Sequence, residues 1–186
     1  MADPKTQLAD AALRLLAKTR WSDLTLMQVA RAAKISAGNL QSLAPGKPAL
    51  LGLILNRIGD LAAEHYRGDP DSQDARDRLL DVALTWFETL NARKLAIRSL
   101  YDGLKRDPLA LLAARGEIVA AASWLLVLAE ADTGPALPAR ALAFAATLAR
   151  AIPVWLEDDK QMTRTMAQLD ADLRRGMRLF GRRPPG

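Results

Sequence analysis

No cysteine occurs in this chain of 186 residues, and only one histidine, His65. The first absence removes disulfides and thiolate chemistry, and it fits a reducing compartment. The second leaves no histidine pair for a metal or a catalytic couple; His65, beside Tyr66 near an expected helix end, reads as an ordinary surface or interface residue. No acid and base pair, metal-ligand cluster or phosphate-binding loop is apparent in the C-terminal half. Asp158 and Asp159 are adjacent carboxylates, which converge poorly on one ion and read as capping or turn residues. The expectation is a protein that is not an enzyme and holds neither metal nor cofactor. Aromatics are scarce, at 5%, and strand-like alternation is rare. Ala and Leu dominate instead, so the chain is expected to be all-α. No apolar run reaches about 18 residues without a charge, and no basic segment leads into an apolar one at the start. Neither a membrane span nor export is therefore expected, and a cytoplasmic location is.

The formal net charge of +5 favours anionic partners such as nucleic acid or an acidic membrane surface. In residues 1–60, Lys5, Arg14, Lys18, Arg20, Arg31, Lys34, Lys47 and Arg57 outnumber Asp3, Asp10, Asp23 and Asp60. A second basic concentration, Arg174, Arg175, Arg178, Arg182 and Arg183, lies at the end of the chain, where cations also suit a helix macrodipole.

The stretch from Thr25 to Leu51 reads as a helix-turn-helix. Thr25 followed by Gln28 is a capping box, and Leu26, Val29, Ala30 and Ala33 then recur on one face. After a break at Lys34 and Ile35, Ser36 caps a second helix, Ala37 to Leu43, which Pro45 and Gly46 bring to an end. A helix from Pro4 to Thr19, with Leu8, Ala11, Ala12, Leu15 and Leu16 inward, is expected to clamp the pair from behind through Trp21 and Leu24.

Downstream, spacing predicts helices over Ala49 to Tyr66, Asp74 to Leu90, Lys94 to Lys105, Leu109 to Ala114 and Glu117 to Ala131. The last two are Ala139 to Leu156 and Met162 to Phe180. Loops are expected at Gly68 to Gln73 and Asp132 to Pro138, and Gly116 is expected to break or bend its helix. Trp86, Phe87, Tyr101, Trp124, Phe144 and Trp155, spread over five helices, would line either a dry core or a tunnel for an apolar ligand. As a pocket, the expected lining is Trp86, Phe87, Tyr101, Leu104, Trp124, Leu128, Leu148 and Trp155, opened by a kink at Pro153. In the last two helices Ala141, Ala145, Ala149 and Ile152 form a small-residue stripe, and Met162, Met166, Leu169, Leu173, Met177 and Phe180 an apolar one. These stripes either close the chain's own core or form half of a four-helix dimer interface; the interface set would be Ala141, Ala145, Ala149, Ile152, Met166, Leu169 and Leu173.

From Ala11 to Leu50 the residues match a familiar pattern: Ala11, Leu15, Leu16, Trp21, Leu24, Thr25, Val29, Ala30, Ile35, Ser36, Leu40, Pro45, Lys47, Ala49 and Leu50. They resemble the N-terminal domain of the tetracycline-repressor (TetR) family of one-component regulators. The resemblance implies an all-α fold: a three-helix helix-turn-helix domain over 1–47, then a connecting helix and a C-terminal ligand-binding and dimerisation bundle over 48–186. It implies a homodimer that binds a palindromic double-stranded operator and responds to a small apolar ligand or lipid. Thr25, Lys34, Ser36, Asn39, Gln41, Ser42 and Lys47 are then the DNA-contacting candidates. The recognition segment departs from the regulator pattern at Gln41, Ser42, Leu43 and Ala44, where the family usually has Tyr, polar or basic residues and an aromatic. Fewer phosphate contacts are expected in consequence.

From Ala92 onward the chain is also similar to the TetR-like lipid-binding accessory protein of ubiquinone biosynthesis. Trp155, Leu156, Asp158, Asp159, Thr165, Leu169, Asp170, Leu173 and Arg174 carry that similarity. It implies an alternative reading, a lipid-handling protein that has kept the fold and lost DNA binding.

Overall fold

The computed structural model describes residues 3–68, 74–131 and 136–180, with side chains as far as residue 176. The elements, in order, are α1 (Pro4–Leu16), α2 (Leu26–Ala33), α3 (Ala37–Leu43), α4 (Lys47–His65) and α5 (Ala75–Leu90). A 3₁₀ turn (Asn91–Arg93) leads into α6 (Lys94–Lys105), and α7 (Pro108–Ala113), α8 (Arg115–Leu128), α9 (Leu137–Leu156) and α10 (Thr163–Phe180) follow. No strand occurs among the described residues, as the composition leads one to expect.

Two compact units divide the chain: Met1–Asp60 with Leu90–Ile118, and Leu61–Thr89 with Val119–Gly186. Each is discontinuous in sequence. The first unit takes in the start of α4, all of α6 and α7, and the first turn of α8.

In the first unit α1 turns Leu8, Ala9, Ala12 and Leu16 inward at helical spacing and leaves Lys5 and Arg14 in water. Asp10 on α1 accepts from Arg57 Nε of α4 at 3.2 Å. Trp21, buried at the corner after α1, is where three elements meet. Lys47 Nζ donates to the carbonyls of Trp21 (2.7 Å) and Ser22 (3.0 Å) and lies 5.2 Å from the Trp21 ring centroid. On the other side, α6 approaches so closely that a Cβ on Gly103 would fall 2.6 Å from Trp21 Cβ. Only glycine permits that contact. Ser99 Oγ, one turn earlier on α6, donates to the Thr19 carbonyl at 2.8 Å.

In the second unit α9 packs against α10, burying Ala141, Phe144, Leu148, Ala151 and Trp155 from one helix and Leu169 and Leu173 from the other. Phe87 of α5 sits between Trp86, edge-on at 4.9 Å, and Trp155 at 5.5 Å. Asp172, buried on α10, accepts from Arg150 Nη2 of α9 and from Gln168 Nε2, both at 2.9 Å. Among the described residues α9 is the one helix long and apolar enough, by length and composition, to cross a membrane. It carries Arg140 and Arg150 and packs on α10, with 28% of its most apolar stretch buried.

The turn into α10 explains the Asp158–Asp159 pair. Asp158 Oδ2 accepts from the Thr165 N–H (2.7 Å) and hydroxyl (2.8 Å), and Asp159 Oδ1 from the N–H groups of Gln161 (2.9 Å) and Met162 (3.1 Å). The carboxylates satisfy otherwise orphaned donors at a helix start. Burial pushes the Asp158 carboxyl up, but the hydrogen bonds from Thr165 and Asp159 and the charge of Arg164 outweigh it and hold it below 3.8. Its stabilising contribution is thus fully present above the unfolded value and is lost as pH falls through the lower folded one. Asp158→Ala is expected to cost about 1–2 kcal/mol near neutrality. Asp158→Asn should flatten the acid limb of thermal stability below pH 3.8, in melts followed by circular dichroism. An acid limb identical in both proteins would overturn that assignment.

Gly116, expected to break or bend its helix, instead lies in the first turn of α8; the break falls two positions earlier, at Ala114. Most of both expected loops, the side chains of Met177, Arg178 and Phe180, and the basic residues Arg182 and Arg183 lie outside the described residues and side chains.

Candidate nucleic-acid interface

The Thr25 capping box is complete: Thr25 Oγ1 accepts from the Gln28 N–H at 3.2 Å, and Gln28 Oε1 accepts from the Thr25 N–H at 2.8 Å. α2 then buries Val29, Ala30 and Ala33 and ends at Lys34, in the left-handed region at φ 58° and ψ 38°. The Ile35 N–H returns to the Ala30 carbonyl at 2.9 Å, which closes the turn. Ser36 Oγ accepts from the Asn39 N–H at 3.3 Å and starts α3. Of the seven residues of α3, Leu40 alone is buried. The helix is anchored through that side chain, the half-buried Leu43 and Ala44, and Ala37, Gly38, Asn39, Gln41 and Ser42 face water.

Asn39 and Ser42, three apart, share one exposed face of α3, while Gln41 shares another with Ala37 and Gly38. A Cβ on Gly38 would meet nothing within 4 Å, so packing does not require glycine there. The small residues leave room for close approach by a flat or grooved partner. Ser42 Oγ donates back along the helix to the Gly38 carbonyl at 3.2 Å, and the Thr25 and Ser36 oxygens are committed as caps. Lys34, Asn39 and Gln41 are the exposed candidates with reach.

Lys47 corrects the sequence reading. Its amino group is held on the Trp21 and Ser22 carbonyls, and burial lowers its pKa against the raising effect of Asp23 and Asp107. A side chain clamped in this way fastens the start of α4 to the corner and does not reach outward. Arg31, exposed on the last turn of α2 next to Lys34, is the cation that the sequence reading passed over. The signal was its position, three residues before a helix C-cap on the polar side of an amphipathic stripe.

The residues expected to line a pocket are divided between the two units. Tyr101 and Leu104, on α6, belong to the first unit. In the second, Trp86, Phe87, Leu148 and Trp155 are buried and Leu128 is half-buried, but Trp124 is 43% exposed on α8. The expected interface stripe divides as well. Ala141, Leu169 and Leu173 are fully buried within the chain's own core, which removes them from any surface; Ala145 and Ile152 are half-buried. Ala149 and Met166 are exposed, Met166 by 44%, with Leu142 exposed on the same helix as Ala149. Among the described residues no group of three or more His, Cys, Asp or Glu side chains is placed to hold a metal ion.

No family model matches the sequence, and no curated protein matches it. Solved structures do. A TetR transcriptional regulator from Nitrosomonas europaea ATCC 19718 is 16% identical with a TM-score of 0.63, the match covering 93% of this chain and 98% of that one. A TetR transcriptional regulator from Rhodococcus sp. RHA1 is 14% identical with a TM-score of 0.57, covering 98% and 97%. At these identities the likeness concerns architecture, and it extends over nearly the whole of each chain. The all-helical fold of this protein is that of the TetR transcriptional regulators.

Proposed function

We propose that this protein is a TetR-like transcriptional regulator that binds a palindromic double-stranded operator as a homodimer and responds to a small apolar ligand. The observation that carries the reading is α3, capped by Ser36, pinned by Leu40 and Leu43 and exposed at its other five residues. A short helix held in that way is the element that a major groove accepts. Asn39 and Gln41 have the donor and acceptor geometry to pair with an adenine edge, and Arg31 and Lys34 supply phosphate contacts at the turn. The two-fold partner would pack on the exposed side of α9 and α10, at Leu142, Ala149 and Met166. The aromatic group of Trp86, Phe87 and Trp155 is the proposed seat of the effector, which would part those rings on entering.

Selection of sites from a random duplex pool should enrich a palindrome with half-sites about one helical turn apart. On that site Asn39→Ala and Gln41→Ala should each cost about 1–3 kcal/mol in fluorescence anisotropy, with specificity lost at one base pair. Lys34→Ala should weaken all sequences alike and reduce the salt dependence. A pool that stays unenriched, or an affinity indifferent to both α3 substitutions, would remove the regulator reading.

A further inference from the structure

α7 is made almost wholly of apolar residues, yet none of its six side chains is buried. Leu109 is 78% exposed, Leu112 67% and Leu111 38%. Leu95 on α6 is 67% exposed. A six-residue helix has little intrinsic stability, and these leucines contribute no core to the unit that carries them. Their chemistry is therefore not explained by folding.

The surroundings are cationic. Lys105 and Arg106 immediately precede α7 and Arg115 immediately follows it, all exposed. Beside the helix, wholly within the first unit, lies an open cleft of about 780 Å³ to which α7 contributes Ala110 and α6 contributes Leu95. Its lining holds Lys18, Arg20, Lys47, Arg98 and Arg106 against two carboxylates, Asp102 and Asp107. Asp107 is committed as the cap of α7, accepting from the Ala110 N–H at 2.9 Å. No residue of α3 lines the cleft, nor does Arg31 or Lys34; of the DNA-contacting candidates only the clamped Lys47 borders it.

We propose that α7 and the cleft beside it form a docking surface for an anionic phospholipid bilayer. Leu109, Leu112 and Leu95 enter the boundary between headgroups and acyl chains, and Lys18, Arg20 and Arg106 of the cleft, with Lys105 and Arg115 at the α7 flanks, receive lipid phosphates. Exposed leucines within a ring of basic side chains are the pattern that a negatively charged interface attracts and retains. A second copy of this chain would bring the same cations face to face, which disfavours self-association there. A neutral apolar protein surface would leave them unmatched.

The test uses the full chain in a flotation assay with phosphatidylcholine vesicles, with and without phosphatidylglycerol. The protein should float with the phosphatidylglycerol vesicles alone, and raised salt should release part of it. Leu109→Asp with Leu112→Asp, and separately Lys105→Glu with Arg106→Glu, should each weaken binding by about tenfold or more, whereas Lys160→Glu in the second unit should not. All of these positions are exposed, and circular dichroism confirms folding independently. Leu112→Trp gives a second readout: its emission should shift to the blue on anionic vesicles. Equal binding to neutral vesicles, no binding to anionic ones, or affinity unaffected by the leucine pair would overturn the proposal. So would a solution dimer abolished by that pair in a protein that ignores vesicles.

Discussion

Trp21→Ala is expected to destabilise the first unit by about 3–5 kcal/mol, the range for deleting a large buried aromatic. The side chain is 4% exposed and is the common contact of the α1 corner, α4 and α6. Its loss would leave the Gly103 face of α6 without the surface it was shaped to fit, and the Lys47 ammonium without the ring beneath it. The surroundings cannot collapse into the space easily, because Ser99 to Thr19 and Arg57 to Asp10 hold α6 and α4 at their distances from α1. Since the chain has two compact units, the loss should appear as a separate early transition in calorimetry. Hydrogen exchange should then accelerate in residues 4–60 and 90–118. The proposed operator binding should fall with it, since α3 is seated on this unit through Leu40, Leu43 and Ala44. A single cooperative transition moved by less than about 1 kcal/mol would show that the corner is not the keystone of its unit.

Trp155→Ala should have a comparable effect on the second unit, again about 3–5 kcal/mol, whereas Trp124→Ala should cost less than about 1 kcal/mol. Trp155 is completely buried against Phe87, and Trp124 is nearly half exposed. Urea melts of the two variants, with near-ultraviolet circular dichroism as the probe, separate a core tryptophan from one that lines an open tunnel. The Trp155→Ala cavity, walled by Phe87, should also bind a small apolar molecule such as indole and recover part of the lost stability. A small cost for Trp155→Ala would mean that the ring already borders empty space, and would favour the tunnel.

Much of the fold was legible before any coordinates. The Thr25–Gln28 box, the Ser36 cap and the limits of α3 are local hydrogen-bond chemistry between residues three apart, and they appear where spacing placed them. The boundaries of α5, α6, α9 and α10 fall within about two residues of expectation, because period and punctuation act over one or two turns. Facing was harder to read. Met166, Leu169 and Leu173 belong to one apolar stripe in sequence, yet Leu169 and Leu173 point into α9 while Met166 points to water. A stripe broad enough to serve both a core and a partner does not say where one ends. Lys47 looked like a phosphate contact by its position next to the helix-turn-helix, and it became a clamp because a corner folded back over it.

The periodicity of Ala and Leu, the caps and the absence of strand signals were enough to make this chain a set of helices with a helix-turn-helix near its start, since each depends on neighbours within a few residues. Which side of each helix met which other, that Trp21 would join α1, α4 and α6, that Tyr101 and Trp155 would part into different units, and that α7 would keep its leucines in water depended on contacts between residues far apart along the chain. Such contacts come from close packing and shape, which a one-dimensional pattern constrains only in aggregate.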